Sequence, residues 1–308
     1  MPGRARTTYL IASHTLPEQA LRLASILRRG SPAAPIVVHH DPRRSSVDRA
    51  GLTRLGVQLV EPPSPGDWGE ISLLVTVLRC LRWCLERTDF EWLVLLSGQD
   101  YPVRPVAEIE RSLADAEVDG FIETWPCQRP RLRDPVDEFA GRYFFRWRRT
   151  GSSTLASLAR SAPGRGRLVG ARTLPNGTWI GTRRVRSPFG ADLVCHRGSD
   201  WFTLSRTAVR AVQAFVEERP EVLGYYRRTL HPTESFIQTV LANDPSLPLS
   251  RDYRRFTLWD GPNATGPRIL RLGDLEAMLA SGCDFARKFD PTVDRAVLDQ
   301  LDRRVHSV

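Results

Sequence analysis

TTYLIASHTLPEQALRLASILRRGSPAAPIVVHHD, residues 7–41, decides the fold. TTYLIASH is an apolar run ending in polar residues, the pattern of a buried strand. LPEQALRLASILRRG has helical spacing, and PIVVHHD returns to a strand. The alternation continues with VQLVEPP (57–63), a long apolar-faced helix from Ile71, and FEWLVLLSGQDYPVRP (90–105), a strand ending in a polar turn. Repeated strand–helix–strand units predict an α/β domain with a mainly parallel central sheet flanked by helices, and such sheets bind ligands beyond the carboxyl ends of their strands. The positions to inspect are therefore Ser13 and His14, His40 and Asp41, and Ser97 to Asp100. ASHTLPEQ after the first strand is neither a dinucleotide fingerprint nor a P-loop.

The composition is that of a globular protein: 308 residues, 41% hydrophobic and 26% charged. The opening residues carry too short an apolar run for a signal peptide or membrane anchor, so a cytoplasmic protein is expected. Five cysteines without a CxxC pair fit small buried hydrophobes in a reducing compartment. Cys80 and Cys84 lie one turn apart on the helix face marked by Ile71, Leu74, Val75, Leu78, Leu81 and Leu85, and two thiols do not make a zinc site.

The net charge of +9 is local. Residues 128–186 hold 14 arginines against Asp134, Asp137 and Glu138, which leaves the rest of the chain slightly acidic. RYFFRWRRTGSSTLASLARSAPGRGRL (142–168) reads as a mobile insertion over a site, or as a surface arm. A solvated loop is the plain interpretation. Binding of an acidic acceptor or of phosphates is the functional one.

Three features bear on chemistry. In HPTESFIQTVL (231–241), Pro232 suits the first position of a helix and places Glu234 in its first turn; capping explains the residue, and a general base held at a cleft is the alternative. In PIVVHHD, His39 and His40 point to opposite faces of a strand, which argues against a compact metal cluster. FARKFD (285–290) contains Lys288, the only lysine in the chain. An ammonium is a compact point charge that arginine's planar fork does not always replace. The chain has no clean DxD, so a nucleotide-diphosphate enzyme of this kind would neutralise its leaving group with side-chain cations rather than a carboxylate-held Mg²⁺.

Five segments, WGEIS (68–72), LLSGQDYPVRP (95–105), GSDWFTLSR (198–206), RRTLHPTESFIQTVL (227–241) and FARKFD, together resemble the core-2/I-branching β-1,6-N-acetylglucosaminyltransferases and the related peptide O-xylosyltransferases. The resemblance runs from Thr8 to about Asp290 and is poorest in the basic segment. It implies a single GT-A-like glycosyltransferase domain, with a nucleotide-sugar-binding half at 7–125, a basic variable insertion at 126–190 and a catalytic and acceptor half at 191–295. It further implies an inverting, metal-independent transferase that uses a UDP-sugar and no other cofactor.

Under that resemblance Glu234 matches the catalytic base and Lys288 a residue that holds the donor diphosphate. Arg268 is its expected partner cation, with Arg271 or Arg255 left open by the different spacing before GDL. Asp41 matches a residue near the uridine, and Asp100 occupies the turn where related folds carry a DxD. Ile11 and Ser97 complete the expected donor-binding set. Glu123, Trp125 and Trp201 are the acceptor candidates, because carboxylates and aromatic faces suit sugar hydroxyls and rings; core packing is equally open for Trp201. Animal members are membrane-anchored Golgi enzymes with disulfides, whereas no anchor or disulfide framework is expected here. The transferred sugar would be GlcNAc or xylose, and the acceptor a hydroxyl compound that could itself be anionic. The rival expectation is a non-catalytic nucleic-acid or polyanion binder using 128–186, which would show steep salt dependence and no need of Glu234.

Overall fold

The computed structural model describes residues 4–131, 134, 136–161, 166–261, 264 and 266–305. Seven strands form the central sheet: β1 (Thr7–Ser13), β2 (Ile36–His40), β3 (Gln58–Leu59), β4 (Trp92–Ser97), β5 (Gly120–Ile122), β6 (Phe202–Ser205) and β7 (Leu249–Ser250). Their spatial order is β7-β5-β6-β4-β1-β2-β3, and every neighbouring pair is parallel except the two that β6 makes. The expected α/β class with a mainly parallel sheet is therefore the one observed.

Continuous apolar strands are needed because both sheet faces are covered. Leu10, Val37, Leu93 and Leu95 point to one face, where they meet α2 (Ile71–Arg87), α3 (Arg206–Glu218) and α4 (Phe236–Ala242). Tyr9, Ile11, Ile36, Val38, Val94 and Leu96 point to the other, against α1 (Pro17–Gly30) and the helices Val106–Ala114 and Arg295–Val305. Cys80 and Cys84 are buried in the first of these cores, and burial pushes both thiols up, Cys80 to about 12.

A second small sheet carries the C-terminal motif to the carboxyl end of β4. The strand Phe285–Arg287 lies between Asp100–Pro102 and Arg255–Thr257. Phe289 N–H then donates to the Gln99 carbonyl at 2.8 Å, which places FARKFD directly over the turn after β4.

The basic segment departs from the expectation of a mobile loop. Its described residues form the helix Glu138–Tyr143, a three-stranded antiparallel sheet (Phe145–Thr150, Val169–Leu174, Gly177–Arg183) and the helix Ser153–Ser161; residues 162–165 lie outside the described residues. In FRWRRT, strand alternation turns Phe145 and Trp147 inward and leaves Arg146 and Arg148 exposed. The two rings stack at 5.8 Å and close a cluster with Trp179 and Leu230, while Trp147 Nε1–H donates to the Gly141 carbonyl at 2.9 Å. Several arginines here are structural: Arg129 donates to the Arg184 and Val185 carbonyls, and Arg184 to those of Phe145 and Tyr225. The segment thereby clasps residues 225–231, with Trp147 N–H bonded to the Arg228 carbonyl and Leu230 N–H to that of Arg142.

Candidate active site

Glu234 ends the 3₁₀ turn Pro232–Glu234, one residue before α4. The turn enters through His231 in the left-handed region (φ 50°), held by its N–H on the Gly69 carbonyl at 3.0 Å and by the Trp68 ring edge-on at 4.4 Å. Gly69 itself has φ +80°, a left-handed conformation that favours glycine, and packs within contact distance of His231 and Leu174. The WGEIS loop is thus the seat of the Glu234 turn. The tip of the basic segment locks the seat in place: Asn176 donates to Glu70 at 2.8 Å and accepts from Trp179 Nε1–H at 3.2 Å.

The Glu234 carboxylate is one-fifth exposed. Arg142 Nη1 reaches its Oε2 at 2.5 Å, and His231 Nδ1 lies 3.4 Å from Oε1. Arg142 also bonds Glu138 at 2.7 Å, and Arg172 approaches the same carboxylate at 3.4 Å. Burial, together with the Asp200 carboxyl, pushes Glu234 up to about 8 against the pull of Arg142. Burial and the Arg142 and Arg172 charges drive His231 down to about 3, so its imidazole is neutral at physiological pH. A neutral imidazole and a buried guanidinium therefore flank one carboxylate whose proton affinity lies near neutrality, a fitting state for a proton acceptor.

Asp200 was not singled out from the sequence. It lies in the loop before β6, its Oδ1 is buried without a hydrogen-bond partner, and burial raises its carboxyl. The letters GSDWF were legible, but a single aspartate in a turn gives no sign of its burial. Gly198, two residues earlier, donates its N–H to the Glu234 carbonyl at 2.8 Å, and a β-carbon on it would sit 1.8 Å from the Glu123 carbonyl oxygen. Glycine is required there, because the backbones of 123, 198 and 234 meet.

The residues expected to bind a donor separate. Asp41 ends β2, buried, and receives Arg43 at 2.6 Å and the Gly66 N–H at 3.1 Å; Arg43 chiefly holds its carboxyl far below the usual range. Asp100 is fully buried and accepts from the Ser97 N–H and hydroxyl and from Arg287 Nε at 3.1 Å, so both Ser97 and Asp100 are engaged in shaping the turn. Arg287 also stacks on Trp201 at 4.2 Å. Ile11 is fully buried between Val38 and Leu96, with no surface to offer a ligand.

The cations differ sharply. Arg268 is tied to Asp274 by two bonds, at 3.0 and 2.5 Å. Arg255 is buried against the carbonyls of Tyr253 and Leu95. Arg271 is exposed. Lys288 is half-buried beside Gly266, and among the described residues it has no carboxylate partner; burial and the Arg287 charge lower its ammonium.

The acceptor candidates are separate from one another. Trp125 is 42% exposed, donates to Glu123 at 3.0 Å and is covered by Arg251 at 4.8 Å. Trp201 is half-buried, packed on the core beneath Arg287. Among the described residues no group of three His, Cys, Asp or Glu side chains is placed to hold a metal ion, and no helix is long and apolar enough to cross a membrane.

The sequence model of the family described as Core-2/I-Branching enzyme matches residues 20–135 and 171–279. Among curated proteins, xylosyltransferase 2 of Rattus norvegicus is 28% identical over 259 residues, covering 76% of this chain and 26% of its own. Xylosyltransferase 1 of Homo sapiens is 27% identical over 257 residues, covering 76% and 23%. The chain spans about a quarter of the length of these relatives. Among solved structures, the galactosyltransferase LgtC with donor and acceptor sugar analogues aligns over 98% of this chain and 97% of its own, at TM-score 0.36 and 8% identity.

The raised Glu234 makes a prediction about stability. The folded protein holds this proton more tightly than the unfolded chain, whose carboxyl titrates near 4.5, so stability is fully present below that value and falls as pH rises to about 8. Glu234→Gln removes that dependence. Urea denaturation should find the variant more stable than wild type by about 1 kcal/mol or more at alkaline pH, with the difference closing toward pH 5.

Proposed function

The chain belongs to the Core-2/I-branching enzyme family, and we propose that it transfers a sugar from a UDP-sugar to a hydroxyl acceptor by a single inverting displacement. The observation that carries this reading is the Glu234 carboxylate, fixed at a turn by Arg142 and His231 and poised near neutrality. Glu234 takes the proton of the acceptor hydroxyl as its oxygen bonds to the anomeric carbon, and the bond from that carbon to the diphosphate oxygen breaks on the opposite face. UDP leaves with the electron pair. By analogy with the relatives, xylose or GlcNAc is the sugar.

Charge builds on the leaving diphosphate, and a preorganised cation there stabilises the transition state. Lys288 suits the task because its ammonium is partly desolvated and has no carboxylate to satisfy it among the described residues. Arg268 would have to give up Asp274 to contribute, so it ranks second. Asp100, in the turn where a metal-binding carboxylate would stand, already serves Ser97 and Arg287. This supports leaving-group neutralisation by side-chain cations without a metal.

UDP release from UDP-xylose and UDP-GlcNAc, assayed in EDTA with candidate acceptors, tests the base. Wild-type turnover should persist in the chelator, and Glu234→Gln should lower it by on the order of 10² to 10⁴ while UDP affinity is kept. Equal turnover in the two proteins would return Glu234 to a capping role.

Calorimetric titration with UDP tests the clamp. Lys288→Met keeps the apolar stem and deletes the charge, and should weaken UDP binding about tenfold or more. Lys288→Arg should recover part of the binding and little of the rate, since the broader fork does not fit a point-charge site. Wild-type affinity in Lys288→Met would remove the clamp.

A further inference from the structure

We propose that Arg142, supplied by the basic segment, is a positioning residue for the reaction, fixing the Glu234 carboxyl in relation to Glu138 and easing the loss of its proton. The inference rests on the reading of Glu234 as base and adds the segment in which the sequence resemblance is poorest. Arg142 sits in the last turn of the helix Glu138–Tyr143, with its side chain 15% exposed. One arm of its fork meets Glu234 Oε2 and the other meets Glu138 Oε1, so a single planar group fixes two carboxylates in relation to each other.

The position of Arg142 is built from several sides. Its carbonyl accepts from Leu230 N–H at 3.1 Å, and the next residue, Tyr143, accepts from the Tyr225 hydroxyl at 2.9 Å and reaches the Glu234 carbonyl with its own hydroxyl at 3.5 Å. Phe139 lies under the guanidinium at 5.1 Å. The Phe145–Trp147–Trp179–Leu230 cluster packs beside this helix, and Trp147 Nε1–H bonds the helix through the Gly141 carbonyl.

Around Glu234 the charges come from every packed element. Glu138 and Arg142 arrive from the helix, Arg172 from the strand Val169–Leu174, Asp200 from the loop before β6, and His231 from the turn itself. Two of these are carboxyls that oppose ionisation of Glu234, and His231 is neutral. Arg172 spends its fork on the Glu138 side chain and carbonyl. Among the described residues Arg142 is thus the arginine in direct contact with Glu234. Its removal would leave the carboxyl buried among like charges, which holds its proton to still higher pH.

The test reads the carboxyl itself and needs no substrate. In protein labelled with ¹³C at the glutamate carboxyl carbon, the resonance missing from Glu234→Gln is assigned to Glu234 and titrated by NMR. Arg142→Met should raise its midpoint by one pH unit or more, and the acid limb of UDP release should shift by the same amount. Arg142→Lys should keep the midpoint near that of wild type yet lower turnover at least tenfold, because one ammonium cannot bridge both carboxylates; it also decides the matter if the Met variant does not fold. An unmoved midpoint in folded Arg142→Met, or wild-type turnover in Arg142→Lys, overturns the proposal. If the wild type releases no UDP while the midpoint still shifts, the reading of the reaction fails and the electrostatic role stands.

Discussion

A carboxyl taken out of water beside two others can give up its proton near neutrality only if a cation is built in with it, and that constraint organises this protein around Arg142 and Glu234. Glu234 comes from the turn before α4, Asp200 from the loop before β6, and Arg142 with Glu138 from the basic segment. The three pieces are joined by backbone contacts. Gly198 packs its bare backbone between the Glu123 and Glu234 carbonyls, and the left-handed His231 rests on Gly69. The aromatic cluster of the basic segment lies beside the helix that brings Arg142 to Glu234.

The residues expected to meet a donor follow the opposite logic. There the sheet brings cations and carboxylates together and pairs most of them: Arg43 with Asp41, Arg287 with Asp100, Arg268 with Asp274. Lys288 is left without a carboxylate among the described residues, at the carboxyl end of β4. An unpaired, partly desolvated charge costs folding free energy, so its persistence is understandable where an anion is to be met. The composition sharpens the point, because every other basic residue that is not histidine is arginine.

The parallel sheet was legible because strands buried on both faces read as uninterrupted apolar runs and helices do not. The Glu234 turn was legible through Pro232, although its helical start proved to be a 3₁₀ turn set off from α4. The order in 142–150 was hidden by arginine: FRWRRT alternates with the period of a strand, but the charges in the outward positions outweighed the two aromatic residues in the inward ones. Arg268 with Asp274, and Asp200 with Glu234, are pairings made by loops and tertiary packing, which no local period announces. Ile11 shows the reverse, since a residue on a strand that leads to the site is itself sealed in the core.

The central claim is that one carboxylate base delivers an oxygen to the face of the sugar opposite the diphosphate. The anomeric configuration of the first product tests it most directly, and water can stand in for the acceptor. Proton NMR followed from the start of the reaction of an α-linked UDP-sugar should show the β anomer appearing first, with the α anomer growing only by mutarotation. An α anomer formed first would require two displacements or a front-face attack, and would contradict the role given to Glu234.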